Sequence, residues 1–412
     1  MTKRNENRPG YKKTKVGWIP KEWECVRLKE VSDINPEVLS DKTDQNYMFH
    51  YIDLSAVNEG KLNLPSNKIA FCEAPSRARR KVKKNDVLLA TVRPNLKGFA
   101  HISFEANDIV CSTGYAVLRS KNEVISLYLF YNLFSHETER YFYSCVVGSN
   151  YPALNNSDVN NLRIPLPPLS EQKKIAEILS AWDRAIEQMD KLIDAEQRLK
   201  KGLMQQLLTG RMRFPGFGKP VQKKDELPED WKEEKLEEVS VIKKGEQVNI
   251  SNMISNGKYY VLNGGVNPSG YLNEWNTPED TITISEGGNS CGFVAFNTQK
   301  FWCGGHCYSL KIENDNVVNR YLYFFLKLYQ GSLSALRVGS GLPNIQRKDL
   351  YNFPVKLPSL PEQTKIANIL SACDKEIDLL KKKKEKLKEQ KKGLMQKLLT
   401  GEVRYSEFLR EN

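Results

Sequence analysis

Histidine is scarce in this 412-residue chain: His50, His101, His136 and His306 are the full set, too scattered for a clustered metal site. Long apolar runs are lacking as well. The most apolar stretch, YLYFFLKLY from Tyr321, falls far short of the ~20 residues that span a bilayer, and it contains Lys327. The opening MTKRNENRPGYKK has no apolar segment of a secretory leader, and eight cysteines in a chain this long do not make a disulfide framework. These absences predict a soluble, cytoplasmic protein with no membrane partner. Catalytic signatures are missing too. Gly218-Lys219 runs into Pro220 and Gly257-Lys258 into Tyr259, so neither opens a phosphate loop, and no Asn-Pro-Pro-Tyr segment of an amino-methyltransferase occurs. Cys303-Gly-Gly-His306-Cys307, with Cys291 upstream, offers zinc donors at a spacing that matches no common zinc site; buried structural thiols are expected instead. Pro278-Glu279-Asp280 followed by Glu286 lacks the lysine, two residues on, of a carboxylate nuclease. No catalytic residue, metal ligand or cofactor of the chain's own is therefore expected.

What is present is a basic balance and a duplication. Lys plus Arg number 62 against 50 Asp plus Glu, a formal charge of +12 that suits a polyanionic partner. LPPLSEQKKIAEILSAWDRAI from Leu166 returns as LPSLPEQTKIANILSACDKEI from Leu357, 191 residues later. The same spacing, without a gap, pairs KKGLMQQLLTG from Lys200 with KKGLMQKLLTG from Lys391, and Val147-Gly148-Ser149 with Val338-Gly339-Ser340. Upstream, Ile19-Pro20-Lys21-Glu22-Trp23 matches Leu227-Pro228-Glu229-Asp230-Trp231 at a spacing of 208, so the second middle region is 17 residues shorter. The middles themselves differ sharply. A variable module and a shared helix, each present twice, is the organisation this implies.

The shared segments read as helices with an a/d seam. The first copy carries Ile175, Leu179, Trp182, Ile186, Met189, Ile193, Leu203 and Leu207; the second carries Ile366, Leu370, Cys373, Ile377, Leu380, Leu387, Leu394 and Leu398. Glu171 and Glu362 fall in first turns, and Gly210 and Gly401 at C-terminal caps. About 40 residues make a rod of roughly 60 Å, longer than a module of this size is wide, so two equal seams most simply pack on each other. Lys200 and Lys391 occupy the same inward heptad position, where a polar residue fixes register at some cost in stability. LLKKKKEKLKEQKK from Leu379 reads as a solvated helix face.

The variable modules read as α+β, with short β-rich runs (NDVLLATV, HISFEA and CSTGYAVLRS; DTITISEG, CGFVAFN and CYSLKI) followed by aromatic helices. Asp86 and Asp280 open comparable strands. In the first module SRARRKVKK supplies Arg77, Arg79 and Arg80, and a Pro-containing turn supplies Arg93, Asn95 and Lys97. In the second, Asn263, Asn289, Ser290, Asn344, Gln346 and Arg347 occupy comparable loops. Arg, Asn and Gln can pair bidentately with base edges while Lys mainly neutralises phosphate, so these residues are the candidate DNA contacts. A coiled-coil interaction scaffold that binds no DNA is the alternative.

Two divergent modules, each followed by L-P-x-L-x-E-Q-x-K-I-A-x-I-L-S and ending in G-L-M-Q-x-L-L-T-G, resemble the specificity subunit of type I restriction–modification enzymes from Gly17 onward. The resemblance implies two strand-rich target recognition domains, separated and followed by long helices that pair as an antiparallel coiled coil in a pseudo-two-fold repeat. The corresponding boundaries are an arm 1–16, a recognition domain 17–165, a helix 166–213, a linker 214–224, a recognition domain 225–356, a helix 357–405 and a tail 406–412. It further implies a non-catalytic chain whose domains each read half of a bipartite, asymmetric site in double-stranded DNA. Two DNA methyltransferase subunits and restriction/translocase subunits are the implied partners, and these would use S-adenosylmethionine, ATP and Mg.

Overall fold

The computed structural model describes residues 5–146, 152–223, 226–339 and 343–404. Val147-Gly148-Ser149, Ser340, the start of the arm, the end of the linker and the 406–412 tail lie outside the described residues. Two compact units form: Met1–Gln188 with Lys384–Asn412, and Met189–Lys383. Their boundaries fall inside the two long helices, Leu169–Leu207 and Leu360–Leu399, and not at the module ends near 165 and 356. Helix pairing is the reason. Each unit holds one module, the first half of the helix that follows it and the last half of the other helix.

Within the first unit the helices run antiparallel. Ile175, Ala176 and Leu179 share a core with Met395, Leu398 and Leu399, while further along Asp183 meets Lys391. The second unit repeats this: Met204, Leu207 and Leu208 share a core with Ile366, Ala367 and Leu370, and Lys200 meets Asp374. Of the seam, Ile175, Leu179, Ile186, Ile193, Leu207, Ile366, Leu370, Ile377 and Leu398 are buried. Trp182, Met189, Leu203, Cys373, Leu380, Leu387 and Leu394 are half-buried. Ala176, Met204, Leu208, Ala367, Met395 and Leu399 join them, because a helix packed on both its partner and its module buries a stripe wider than a strict a/d seam. Lys200 and Lys391 stay under one-fifth exposed, with their ammonium groups paired to the opposite helix and poised over the Phe324 and Tyr131 rings.

The helix ends are clamped by two copies of one device. Gly401 (φ 66°) and Gly210 (φ 74°) take left-handed caps where an added Cβ would lie 2.6 Å from Pro20 and 2.5 Å from Pro228. Trp23 Nε1 donates to Glu171 Oε2 (3.0 Å) and Trp231 Nε1 to Glu362 Oε2 (3.3 Å). Arg404 then grips Glu171 bidentately (2.7 and 3.0 Å), and Arg213 grips Glu362 (2.9 and 2.6 Å). The neighbouring glutamines staple the modules: Gln172 donates to the Glu123 and Pro167 carbonyls and accepts from Ile125, as Gln363 does with Asn316, Pro358 and Val318. The E-Q pair of the shared motif thus joins helix start to module.

Both modules share a topology. In the first, Phe99–His101, Val87–Ala90, Tyr115–Ser120 and Ser32–Ile34 form an antiparallel sheet in that order; in the second, Val294–Asn297, Thr281–Ser285, Cys307–Lys311 and Val241–Lys244 do the same. A ribbon of Glu24–Arg27 with Arg163–Leu166, and of Lys232–Lys235 with Pro354–Leu357, brings the entry and exit of each module together. One sheet face carries Val87 and Leu89, or Ile282 and Ile284, into the core shared with the aromatic helices Ser126–Asn132 and Asn319–Leu328 and the long helices. A second, smaller sheet holds a parallel pair in each case, Met48–Ile52 with Ile109–Ser112 and Tyr259–Leu262 with Trp302–Cys303. Only the first module adds the basic strand Ala78–Val82 at its edge; the second has a single bridge, Thr277 to Phe301. Asp86 is fully buried and holds Arg119 bidentately (2.9 and 2.9 Å), whereas Asp280 sits at φ 56° and accepts from Asn319 through its carbonyl.

Candidate nucleic-acid interface

In each module the chain leaving the central strand makes the same tight turn. Thr91 N–H donates to Gly114 O (2.8 Å) in the first; Glu286 N–H donates to His306 O (2.9 Å) in the second. The segment before the long helix then docks on that turn. Leu154 N–H reaches Thr91 O (2.8 Å) and Val92 bridges Ala153; Ile345 N–H reaches Glu286 O (2.8 Å) and Gly287 bridges Asn344. Left-handed residues sit four apart at matching places, Arg93 (φ 49°) and Lys97 (φ 54°) against Gly288 (φ 70°) and Gly292 (φ 80°). The backbone is therefore common, while the side chains presented are Arg93 and Asn95 in one turn and Asn289 with half-buried Ser290 in the other. Glycine adopts this conformation freely, whereas Arg93 and Lys97 are held in it by the surrounding structure, as residues at working sites often are.

The candidate contacts separate into two sets. Arg93, Asn95, Asn289, Ser290, Asn344 and the helix N-cap Gln346 gather on these turns and their docked segments, all but half-buried Ser290 exposed. Others are engaged elsewhere. Lys97 pairs with Glu139 (3.1 Å), and Arg347 donates to the Ile242 carbonyl and lies over Tyr351. On the strand Ala78–Val82, Arg79 stacks on Phe71 (4.8 Å), and half-buried Arg80 faces Cys111 with Nη1 unpartnered and its pKa lowered by burial. Arg77 is exposed just before that strand, and Asn263 accepts from the His306 amide (3.3 Å). A run of basic letters cannot distinguish an arginine stacked against the sheet from one offered to solvent.

Electrostatics around the second turn centre on Glu286, 8% exposed, which accepts from Lys244 Nζ (2.7 Å) and the Tyr308 hydroxyl (3.0 Å). Burial, then this carboxylate, raises the Tyr308 pKa. Glu279 and Asp280 line a different cleft. Cys291, Cys303 and Cys307 are buried and His306 is largely exposed; among the described residues no group of three or more His, Cys, Asp or Glu is placed to hold a metal. Residues that sequence reading passed over include Arg213 and Arg404, though T-G-x-x-R recurs at the 191 spacing, and the segment Pro152–Asn156, which aligns at that spacing with the candidate-bearing Pro343–Arg347.

A family model, the type I restriction modification DNA specificity domain, matches residues 20–197 and again 228–389. The chain belongs to this family. Its two matches are the two halves of the duplication, and the scaffold alternative is not favoured. This specificity protein is 28% identical over 418 residues to the type I restriction enzyme MjaVIII specificity subunit of Methanocaldococcus jannaschii, covering 94% of each chain. It is 26% identical to a chain solved in a study of complex assembly and conformational transition of the type I restriction–modification system, with a TM-score of 0.63 over 93% of this chain and 99% of that one. The specificity subunit from M. genitalium shares the fold, with a TM-score of 0.59 over 92% and 96% of the chains at 20% identity. As a specificity subunit it is a non-catalytic, DNA-recognising component, with DNA and the restriction–modification complex as its partners. Among the described residues no helix is long and apolar enough to cross a membrane.

Proposed function

We propose that each module reads one half of a bipartite, asymmetric DNA site through its exposed turn, with Arg93 and Asn95 in the first module and Asn289, Ser290, Asn344 and Gln346 in the second. The observation that carries this reading is one backbone turn presented twice with different side chains. Arginine prefers guanine edges and asparagine or glutamine adenine edges, so unlike turns select unlike half-sites. The paired helices would set the spacing between half-sites and dock two DNA methyltransferase subunits, with restriction/translocase subunits joining them in the cytoplasm. Leu192 and Leu199, seven residues apart on one helix face, are 44% and 53% exposed and Leu379 is 65% exposed, apolar surface that supports protein docking. S-adenosylmethionine, ATP and Mg would serve those partners. Selection from a random duplex library across a salt series tests the reading. Enrichment of two short unlike motifs around an unread spacer is expected, with a steep salt dependence; a continuous motif, or none, refutes it.

A further inference from the structure

The first unit has a second basic surface, on the opposite side of a helix from its exposed turn. Residues Glu139, Phe142, Tyr143 and Val146 of and just after the helix His136–Cys145 face the Arg93–Lys97 turn. Glu137, Arg140, Tyr141 and Ser144 face the other way, into a cleft of about 630 Å³. Lys15, Arg27, Arg140 and Arg163 line that cleft against the one carboxylate of Glu137. Arg27 and Arg163 are direct partners in the ribbon of Glu24–Arg27 with Arg163–Leu166, so both side chains leave the same side. Like charges placed opposite one another destabilise a ladder. Arg27 lies 3.7 Å from Glu30 and Arg140 lies 3.9 Å from Glu137, but Arg163 and Lys15 have no ion-pair partner among the described residues.

The shared fold does not demand this arrangement. In the second module the corresponding ribbon sets Lys235 opposite Pro354, and its one facing charged pair, Glu233 with Lys356, is of opposite sign. The first module therefore maintains an unfavourable cationic cluster that its sister lacks, and an anion entering the cleft would relieve the repulsion. Position narrows the class of anion. The helix Asn156–Asn161 starts beside the segment docked on the exposed turn and ends at the cleft, six residues or about 9 Å away. That distance corresponds to two or three base-pair steps along a duplex.

We propose that this cleft grips the phosphate backbone of DNA flanking the half-site read by the first module, adding affinity without sequence information. The proposal rests on the DNA-reading function above. It is tested on the full chain with Arg163→Gln and the Arg140→Gln/Arg163→Gln pair, titrating salt against a duplex carrying the selected site and against a random duplex. Each substitution is expected to reduce the log K versus log salt slope by about 1 and weaken binding roughly tenfold at 0.1 M salt, equally on both duplexes. The Tm of the free protein should hold or rise, since a like-charged pair is removed, and Arg163→Lys should restore binding. Unchanged slopes, or a loss confined to one duplex, overturn the assignment, as does loss of binding with a lowered Tm that Arg163→Lys fails to rescue. If the unsubstituted chain binds no duplex, the DNA-reading function itself fails; if it selects a split site while the variants match it, only the cleft assignment does.

Discussion

The two modules share a sheet order and a turn yet bury chemically different faces. Behind the first sheet Leu88, Ala90 and Ile102 pack against Ile52, Val82 and Ile109 in an apolar second core. At the matching places the second module has Thr283, Ser285 and Asn297, all buried. Asn297 donates to the Thr281 carbonyl (2.9 Å) and Thr283 hydroxyl (3.1 Å), and accepts from Tyr260 (3.1 Å). A buried polar layer is tolerated when each group is satisfied, so one topology accommodates either solution. The lesson is that the fold is held by the ribbon, the long helices and the motif at their ends, which leaves the outer sheet and turns free to differ.

Four measurements would break or sharpen that comparison. The largest effect is expected at the clamps. Arg213 and Glu362 are each only 1% exposed, whereas Arg404 is 26% and Glu171 12% exposed. Glu362→Ala leaves the buried Arg213 guanidinium with only the half-exposed Asp230 as a carboxylate partner and should cost about 3 kcal/mol, against roughly 1–2 for Glu171→Ala; urea unfolding followed by hydrogen exchange in each unit would show equal losses if burial were irrelevant. Next, Asn297→Ala should destabilise the second unit by about 2 kcal/mol by orphaning its hydrogen-bond partners, and leave exchange in the first unit unchanged. Arg93→Gly should stabilise the protein by about 1 kcal/mol, because glycine takes the left-handed turn without strain, while weakening DNA binding. A Tm that falls would show that the arginine side chain anchors the turn.

The smallest effect is the pH dependence that Glu37 gives the first module. Lys83 and then Arg119 hydrogen-bond Glu37 and lower its pKa to about 2. A depressed carboxylate contributes stability that is complete above its ordinary value, near 4.5, and is lost as pH falls toward 2. Glu37→Gln should flatten the stability profile of the first unit across that window; an unaltered profile would assign the acid sensitivity elsewhere.

Much of the architecture is legible in the letters. Periodicity gives both long helices, the glycine caps are placed by composition, and the duplication gives two like halves. The turn residues are less legible. Nothing in the letters of Arg79, Arg80, Lys97 and Arg347 announces the Phe71 ring, the burial, the Glu139 carboxylate or the Ile242 carbonyl that engages them. The partners lie at no fixed spacing, from four residues away for Tyr351 to 105 for Ile242, so no local pattern reveals them.

Sequence by itself determined the repeat, the paired seams and the family, because heptad spacing and a long shared motif are local and survive in one dimension. Tertiary structure decided which basic residues stand on the exposed turns, that the second sheet of one module hides a polar layer, and that Arg27 and Arg163 confront each other across a ribbon. Those outcomes depend on strand register and on contacts between separate segments, 37 residues apart for Tyr260 and Asn297 and 136 for Arg27 and Arg163, where charge and hydrogen bonding act through space.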